Sequence, residues 1–245
     1  MNQADKPLKQ YHVWDLSVRV FHWINFICVI GLLVIGTVIL NNKILGISTD
    51  GKILLKTIHV YFGYVFALNL SWRMVWAFFG NRYARWRSII PFKKEHREAF
   101  KPFMNGIREN KPVFFLGHNP LGRMMVAFLF LLLSTQAITG LVLAGTDIYF
   151  PPFGPTIAEW VAVDKSKADE IKPHSKENVN AENYKAMRDI RKPFITTHVY
   201  VFYTLLGTIL LHIIGVVVSE IREKSGLTSA MITGEKHSAE EPVDR

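Results

Sequence analysis

Four histidines, His22, His59, His198 and His212, lie inside strongly apolar stretches of a chain of 245 residues. An imidazole in hydrocarbon is costly unless it is hydrogen-bonded or ligates something, so intramembrane ionisable residues are candidates for function. His198 and His212 are fourteen residues apart on one predicted membrane helix. That interval rises about 21 Å in almost four turns and leaves the side chains about 40° apart in azimuth. One helix then presents two imidazoles to the same bundle interior, at two depths of a hydrocarbon core roughly 30 Å thick. His22 and His59, on two other helices, complete two pairs. Facing helices of a bundle build cofactor sites in this way, and two such pairs suit two haems, one above the other, each held by two axial histidines.

Four elements must position these residues. The hydropathy pattern predicts spans over about 18–40, 52–79, 120–144 and 193–219, each long enough to cross a bilayer with some tilt. Thr49-Asp50-Gly51 reads as a cap before the second span, Asn119-Pro120 opens the third, and Pro193 suits the first turn of the fourth. The expected fold is an all-α membrane protein, a bundle of four transmembrane helices holding two b-type haems. Residues 1–225 are expected to form the transmembrane domain, with 145–192 its outer loop, and 226–245 a polar C-terminal tail that is mobile from Lys236 onward.

Topology follows from the connectors. Residues 81–119 carry nine Lys/Arg against three acids, whereas 145–193 carry eight of each. The positive-inside rule puts both termini and the 81–119 segment in the cytoplasm, and the long loop outside a bacterial inner membrane. With that orientation His59 and His198 share the outer level, and His22 and His212 the inner one. The histidines played no part in the orientation, so their match in depth is independent of it. The expected cofactors are two non-covalent haem b groups with bis-histidine ligation, paired His22–His212 and His59–His198.

Arg73 lies fourteen residues beyond His59, at the inner level, and Arg19 one turn before His22. Each suits the propionates of an inner haem, or else snorkels to the membrane surface. Lys56, one turn before His59, suits the outer haem on weaker grounds. His118 precedes Asn119-Pro120-Leu121-Gly122-Arg123. Two readings stand for that segment: Asn119 hydrogen-bonds a quinone headgroup, or the segment is a helix cap with a basic anchor. His12, His96, His174 and His237 lie in charged segments and are expected to be solvated. The outer loop contains Tyr149-Phe150-Pro151-Pro152-Phe153-Gly154-Pro155, then a short apolar run, then a polar stretch over 164–192 without a core of its own. It reads either as a solvated connector or as a docking platform for an extracytoplasmic partner.

Composition narrows the classes further. The chain is 49% hydrophobic yet 20% charged, with charge segregated into connectors, as in a polytopic membrane protein. The net charge of +9 sits at the ends of apolar segments, where it favours membrane lipid over nucleic acid. The single cysteine, Cys28, allows no disulfide within the chain, and no Cys-x-x-Cys-His motif attaches a c-type haem. Asp5 and Asp15 interrupt the basic N-terminal region and no small-x-small site follows, so the first apolar segment is expected to stay as a span.

The chain resembles the bacterial cytochrome b561 / nickel-iron hydrogenase b-type cytochrome family. The residues that carry the resemblance are Val13-Trp14-Asp15-Leu16 with Arg19-Val20-Phe21-His22-Trp23, then Lys56-Thr57-Ile58-His59-Val60-Tyr61-Phe62-Gly63, then Asn119-Pro120-Leu121-Gly122, and Thr197-His198 with His212 beyond. The resemblance covers roughly residues 11–225. It implies a di-haem cytochrome passing electrons between a partner and the quinone pool. The membrane subunit of respiratory formate dehydrogenase shares the spacing of fourteen on its fourth helix. The Phe150–Gly154 loop is similar to a branch often accompanied by c-type cytochromes. The implied partners are therefore a c-type cytochrome or a hydrogenase or dehydrogenase subunit, with quinone as substrate and the chain itself a non-catalytic subunit. The alternative is a stand-alone oxidoreductase, such as a superoxide:quinone oxidoreductase.

Overall fold

The computed structural model describes residues 7–109, 111, 113–175 and 177–244. Four helices are long and apolar enough to cross a membrane: α1 (Leu16–Leu40), α2 (Thr49–Phe79), α5 (Pro120–Ile148) and α7 (Ala181–Glu223). Large apolar side chains are open on these helices, Leu68 at 75% and Phe79 at 73% exposure. A surface of that kind is stable against lipid rather than water. The remaining elements are β1 (Lys9–His12), α3 (Trp86–Ile89), α4 (Lys94–Arg108), α6 (Gly154–Val161), a 3-10 segment (Lys165–Glu170), α8 (Leu227–Thr233) and β2 (Glu235–Ser238). The chain divides into two compact units.

The first unit comprises residues up to Ile24, Leu70–Leu131 and Leu205 onward. β1 and β2 pair antiparallel, Lys9 opposite Ser238 and His12 opposite Glu235. Gly234, in the left-handed region at φ 89°, accepts hydrogen bonds at its carbonyl from the Val13 and Trp14 amides. Val13, Trp14 and Val18 pack with Ala84, Phe114, Leu116 and Ala230. Asp15 organises the start of α1. Its Oδ1 accepts from the Val18 amide at 2.9 Å, and its Oδ2 from Trp76 Nε1 at 3.0 Å. The first bond is a helix cap.

The expected mobile tail is therefore a folded part of this unit. Lys236 is its most buried large side chain, 1% exposed, with Nζ donating to the carbonyls of Phe115 and Gly117 at 3.1 Å each. These two carbonyls replace water around the ammonium, so the polarity of the segment does not keep it solvated.

The second unit comprises Asn25–Asn69 and Leu132–Thr204. Ser48, rather than Thr49, caps α2, its Oγ accepting from the Gly51 amide at 3.1 Å. The loop expected to lack a core has one: Ala158, Val161, Ala162, Ala168, Ile171 and Met187 bury together. Asn180 Oδ1 accepts from the amides of Glu182 and Asn183 at 3.0 Å each and starts α7 twelve residues before Pro193. Pro193 thus lies inside the helix instead of in its first turn. The charged stretch over 181–192 could extend the helix because it is rich in good helix formers and is capped at its own start.

Candidate functional site

In the second unit α2 and α7 bring His59 and His198 together, with ring centroids 6.4 Å apart and planes at 72°. Thr139, on α5, donates its hydroxyl proton to the Thr135 carbonyl at 2.7 Å, as a helical threonine does. Its Oγ1 is then an acceptor for His198 Nδ1, 2.9 Å away. That bond places the imidazole proton on Nδ1 and the lone pair on Nε2. Gln136 Nε2, a donor, lies 3.0 Å from the same Nε2. His59 Nδ1 is buried with no protein partner. A glycine backs each ring: a Cβ on Gly36 would lie 3.4 Å from His59 Cε1, and one on Gly140 would lie 3.4 Å from His198 Cε1.

Close to this pair in sequence, Lys56 is committed elsewhere. Its Nζ donates to Asp147 Oδ2 at 2.7 Å, while Arg191 Nε lies 2.5 Å from Asp147 Oδ1. The three side chains are less than one-fifth exposed, so two cations share one nearly buried carboxylate. Tyr64 donates its hydroxyl to the Pro151 carbonyl at 2.5 Å, tying α2 to the aromatic turn.

In the first unit His22 on α1 has His212 on α7 as the titratable group nearest to it electrostatically, and its Nδ1 is buried without a protein partner. Arg73 on α2 is 4% exposed. Its guanidinium lies 5.9 Å from the Phe21 ring and 5.5 Å from that of Phe130, two rings stacked within 6° of parallel. Such cation–π contacts compensate part of the desolvation of a buried charge. Arg73 Nη2 donates to the Ala84 carbonyl at 3.0 Å, and Nη1 is buried without a protein partner. Arg19 donates from Nη1 to the Ile232 carbonyl, while its Nε is also buried and unpaired. Both arginines therefore retain donors for an anionic group.

The family described as prokaryotic cytochrome b561 matches residues 13–234. The chain belongs to the prokaryotic cytochrome b561 family. It is similar to proteins named "Probable Ni/Fe-hydrogenase B-type cytochrome subunit" from Bradyrhizobium diazoefficiens, 27% identical over 92% of this chain and 85% of that one, and from Rhizobium leguminosarum bv. viciae, 28% identical over 92% and 88%. The "Probable Ni/Fe-hydrogenase 1 B-type cytochrome subunit" of Escherichia coli K12 is 28% identical over 63% of this chain and 69% of its own. No solved structure matches the chain. Membership makes this a membrane b-type cytochrome, which implies haem b as its cofactor and electron transfer as its role.

Several polar residues of this b561 chain escaped the sequence reading. Asp147 and Arg191 look like ordinary loop charges, and Thr139 and Gln136 like helix-packing residues, because their partners are remote in sequence. Asn119 caps α5, its Oδ1 accepting from the Gly122 amide at 2.8 Å; its Nδ2 makes only a long 3.4 Å contact to Glu223. His96 is half-buried rather than solvated, with Nδ1 unpaired. His118 packs against Trp14, with ring centroids 4.9 Å apart and planes tilted by 48°. Burial, reinforced by the Lys236 and Arg123 charges, pushes the His118 imidazole down to about 3.

His118 is therefore neutral in the folded protein at pH 7 but takes up a proton near 6.5 when unfolded. The unfolded chain binds more protons between those values, so stability falls as pH drops from 6.5 towards 3. The expected loss at pH 5 is about 2 kcal/mol. Thermal melting at pH 7 and pH 5 should show a larger drop for the native chain than for His118→Gln. Equal drops would remove His118 from the acid response.

Proposed function

We propose that this chain is the electron-transfer subunit of a respiratory complex, carrying two haem b groups between an extracytoplasmic hydrogenase and membrane quinone. The His59–His198 geometry carries the proposal. Two imidazoles on one iron, with bonds of about 2 Å each plus the two ring radii, stand roughly 6 Å apart between centroids; the observed 6.4 Å fits. The lone pair on His198 Nε2 and the two glycines behind the rings suit the same ligand set. His22 and His212 form the second ligand pair. His59 with His198, and His22 with His212, would each hold a haem, which would supply single-electron exchange.

The remaining groups follow from that assignment. Thr139 holds the His198 ring and its tautomer, as outer-shell partners of metal-ligating histidines do. Arg73 and Arg19 offer their unpaired N–H groups to the propionates of the first-unit haem. Asn119 can turn its amide N–H towards a quinone carbonyl while Oδ1 keeps the cap. The inner-membrane orientation with cytoplasmic termini is supported by the paired terminal strands, and by the nine cations of 81–119 lying in the same unit as both ends. Similarity to proteins named as hydrogenase cytochrome subunits favours a hydrogenase over a c-type cytochrome as the partner.

The test is partner-driven reduction in reconstituted vesicles. Hydrogen with its hydrogenase, added on the side of residues 145–180, should reduce the haem absorbance and then a lipid-soluble quinone. Asn119→Asp preserves the cap and removes the amide donor; the quinone concentration needed should rise roughly tenfold while hydrogenase-driven haem reduction stays intact. Reduction by a c-type cytochrome and not by the hydrogenase would replace the partner. Reduction by neither would end the subunit reading.

A further inference from the structure

A cavity of about 790 Å³ lies within the first unit. Arg82, Arg85, Arg87, Arg97, Lys101 and Arg123 line it. Two carboxylates face these six cations, and one of them is already occupied: Asp244 accepts from the Leu116 and Gly117 amides at 2.6 and 2.8 Å. Glu95 is the other. Arg82 and Arg85 spend one donor each on the carbonyls of Asp244 and Gly80. Arg123, by contrast, has both Nε and Nη1 buried without a partner among the described residues, as are Nδ1 of His96 and of His118 on the same walls. Unpaired buried donors carry a full desolvation cost unless a ligand satisfies them. The excess positive field is felt there: beyond burial itself, Arg123 helps to push the His96 imidazole below its ordinary value.

We propose that this cavity binds the phosphate of an anionic phospholipid headgroup. Arginine forks recognise phosphate oxygens by paired hydrogen bonds, and basic pockets beside the ends of membrane helices take up anionic headgroups. The source of the phosphate follows from the rim. Met124 lines the cavity and is 51% exposed in the first turns of α5, Leu121 beside it is 44% exposed, and Phe92, next to the lining residue Pro91, is 83% exposed. These apolar groups suit acyl chains, which a free phosphate lacks. α4 packs on the protein through Phe103, whose ring lies 5.9 Å from that of Phe115, and keeps Lys94, Arg97 and Lys101 at the surface, where they attract anionic headgroups.

Native mass spectrometry of the full haem-loaded chain in neutral detergent tests the assignment. Titration with phosphatidylglycerol should give one retained lipid per chain, and phosphatidylcholine none under the same conditions. Arg87 and Arg97 are surface residues, so the double variant Arg87→Gln/Arg97→Gln should fold normally and weaken retention at least tenfold. Arg123→Gln should abolish it, with an unchanged haem spectrum reporting the fold. Inorganic phosphate at millimolar concentration should not displace the lipid. Equal retention of both lipids, no effect of either variant, or stabilisation by inorganic phosphate with no lipid retained would each overturn the proposal.

Discussion

Replacing His198 by leucine is expected to halve the haem content of the purified protein, from two haem b per chain to one, as measured by pyridine haemochrome against protein mass. His59→Leu should leave the same residual spectrum, because the two ring centroids lie 6.4 Å apart and, in the pairing proposed above, share one iron. His22→Leu and His212→Leu should remove the other component together. Leucine fills much of the volume of an imidazole, so the helices keep their packing while a ligand is lost. A single axial histidine holds haem far less firmly than two, and the effect on occupancy is close to all-or-none. If His22→Leu and His198→Leu removed one common component, the pairing would be wrong. A ratio near zero in the native protein would remove the haem reading for these residues altogether.

The second large effect falls on stability. Asp147→Ala should destabilise the second unit by about 3–5 kcal/mol, the usual consequence of removing one partner from a buried ion cluster. Lys56 and Arg191 would be left side by side at side-chain exposures of 14% and 16%. The triple variant Asp147→Leu/Lys56→Met/Arg191→Met should recover most of that loss, because it removes the stranded cations along with the carboxylate. Thermal melting in one detergent at one salt concentration separates the cases. A cost below about 1 kcal/mol for Asp147→Ala would mean that water screens the cluster as it does a surface ion pair.

What could be read ahead of the structure follows the physics of each signal. Four long apolar runs stand out in any hydropathy scan, and their helices lie where the scan put them, to within a turn or so at most ends. The exception is α7, where the charged stretch over 181–192 was taken for loop although Asn180 caps it and its residues favour a helix. Histidines in apolar runs are conspicuous by cost, which is why His59 and His198 could be named as neighbours beforehand. Lys56 was conspicuous too, but its partner Asp147 was not: complementary charges pair through space and leave no local periodicity. The same limit hid the clasp of β1 on β2. Strands of four residues carry too little pattern to detect, and a buried lysine at 236 contradicts every compositional expectation except that its ammonium has carbonyls to bond.

That clasp sets the order in which the protein can be made. β1 precedes all four long helices in sequence, yet its strand partner among the described residues, β2, follows them all. Closing so large a loop is entropically costly and slow compared with forming any single helix. The Val13 and Trp14 amides have no Gly234 carbonyl to bond until that residue has been made. A chain made only as far as the end of α7 can therefore pack Val13 and Trp14 against Ala84, Phe114 and Leu116 and still leave their amides unpaired. Unpaired backbone of that kind marks a segment that opens easily, and the clasp can close only after the fourth long helix and the turn at Gly234 have both been made.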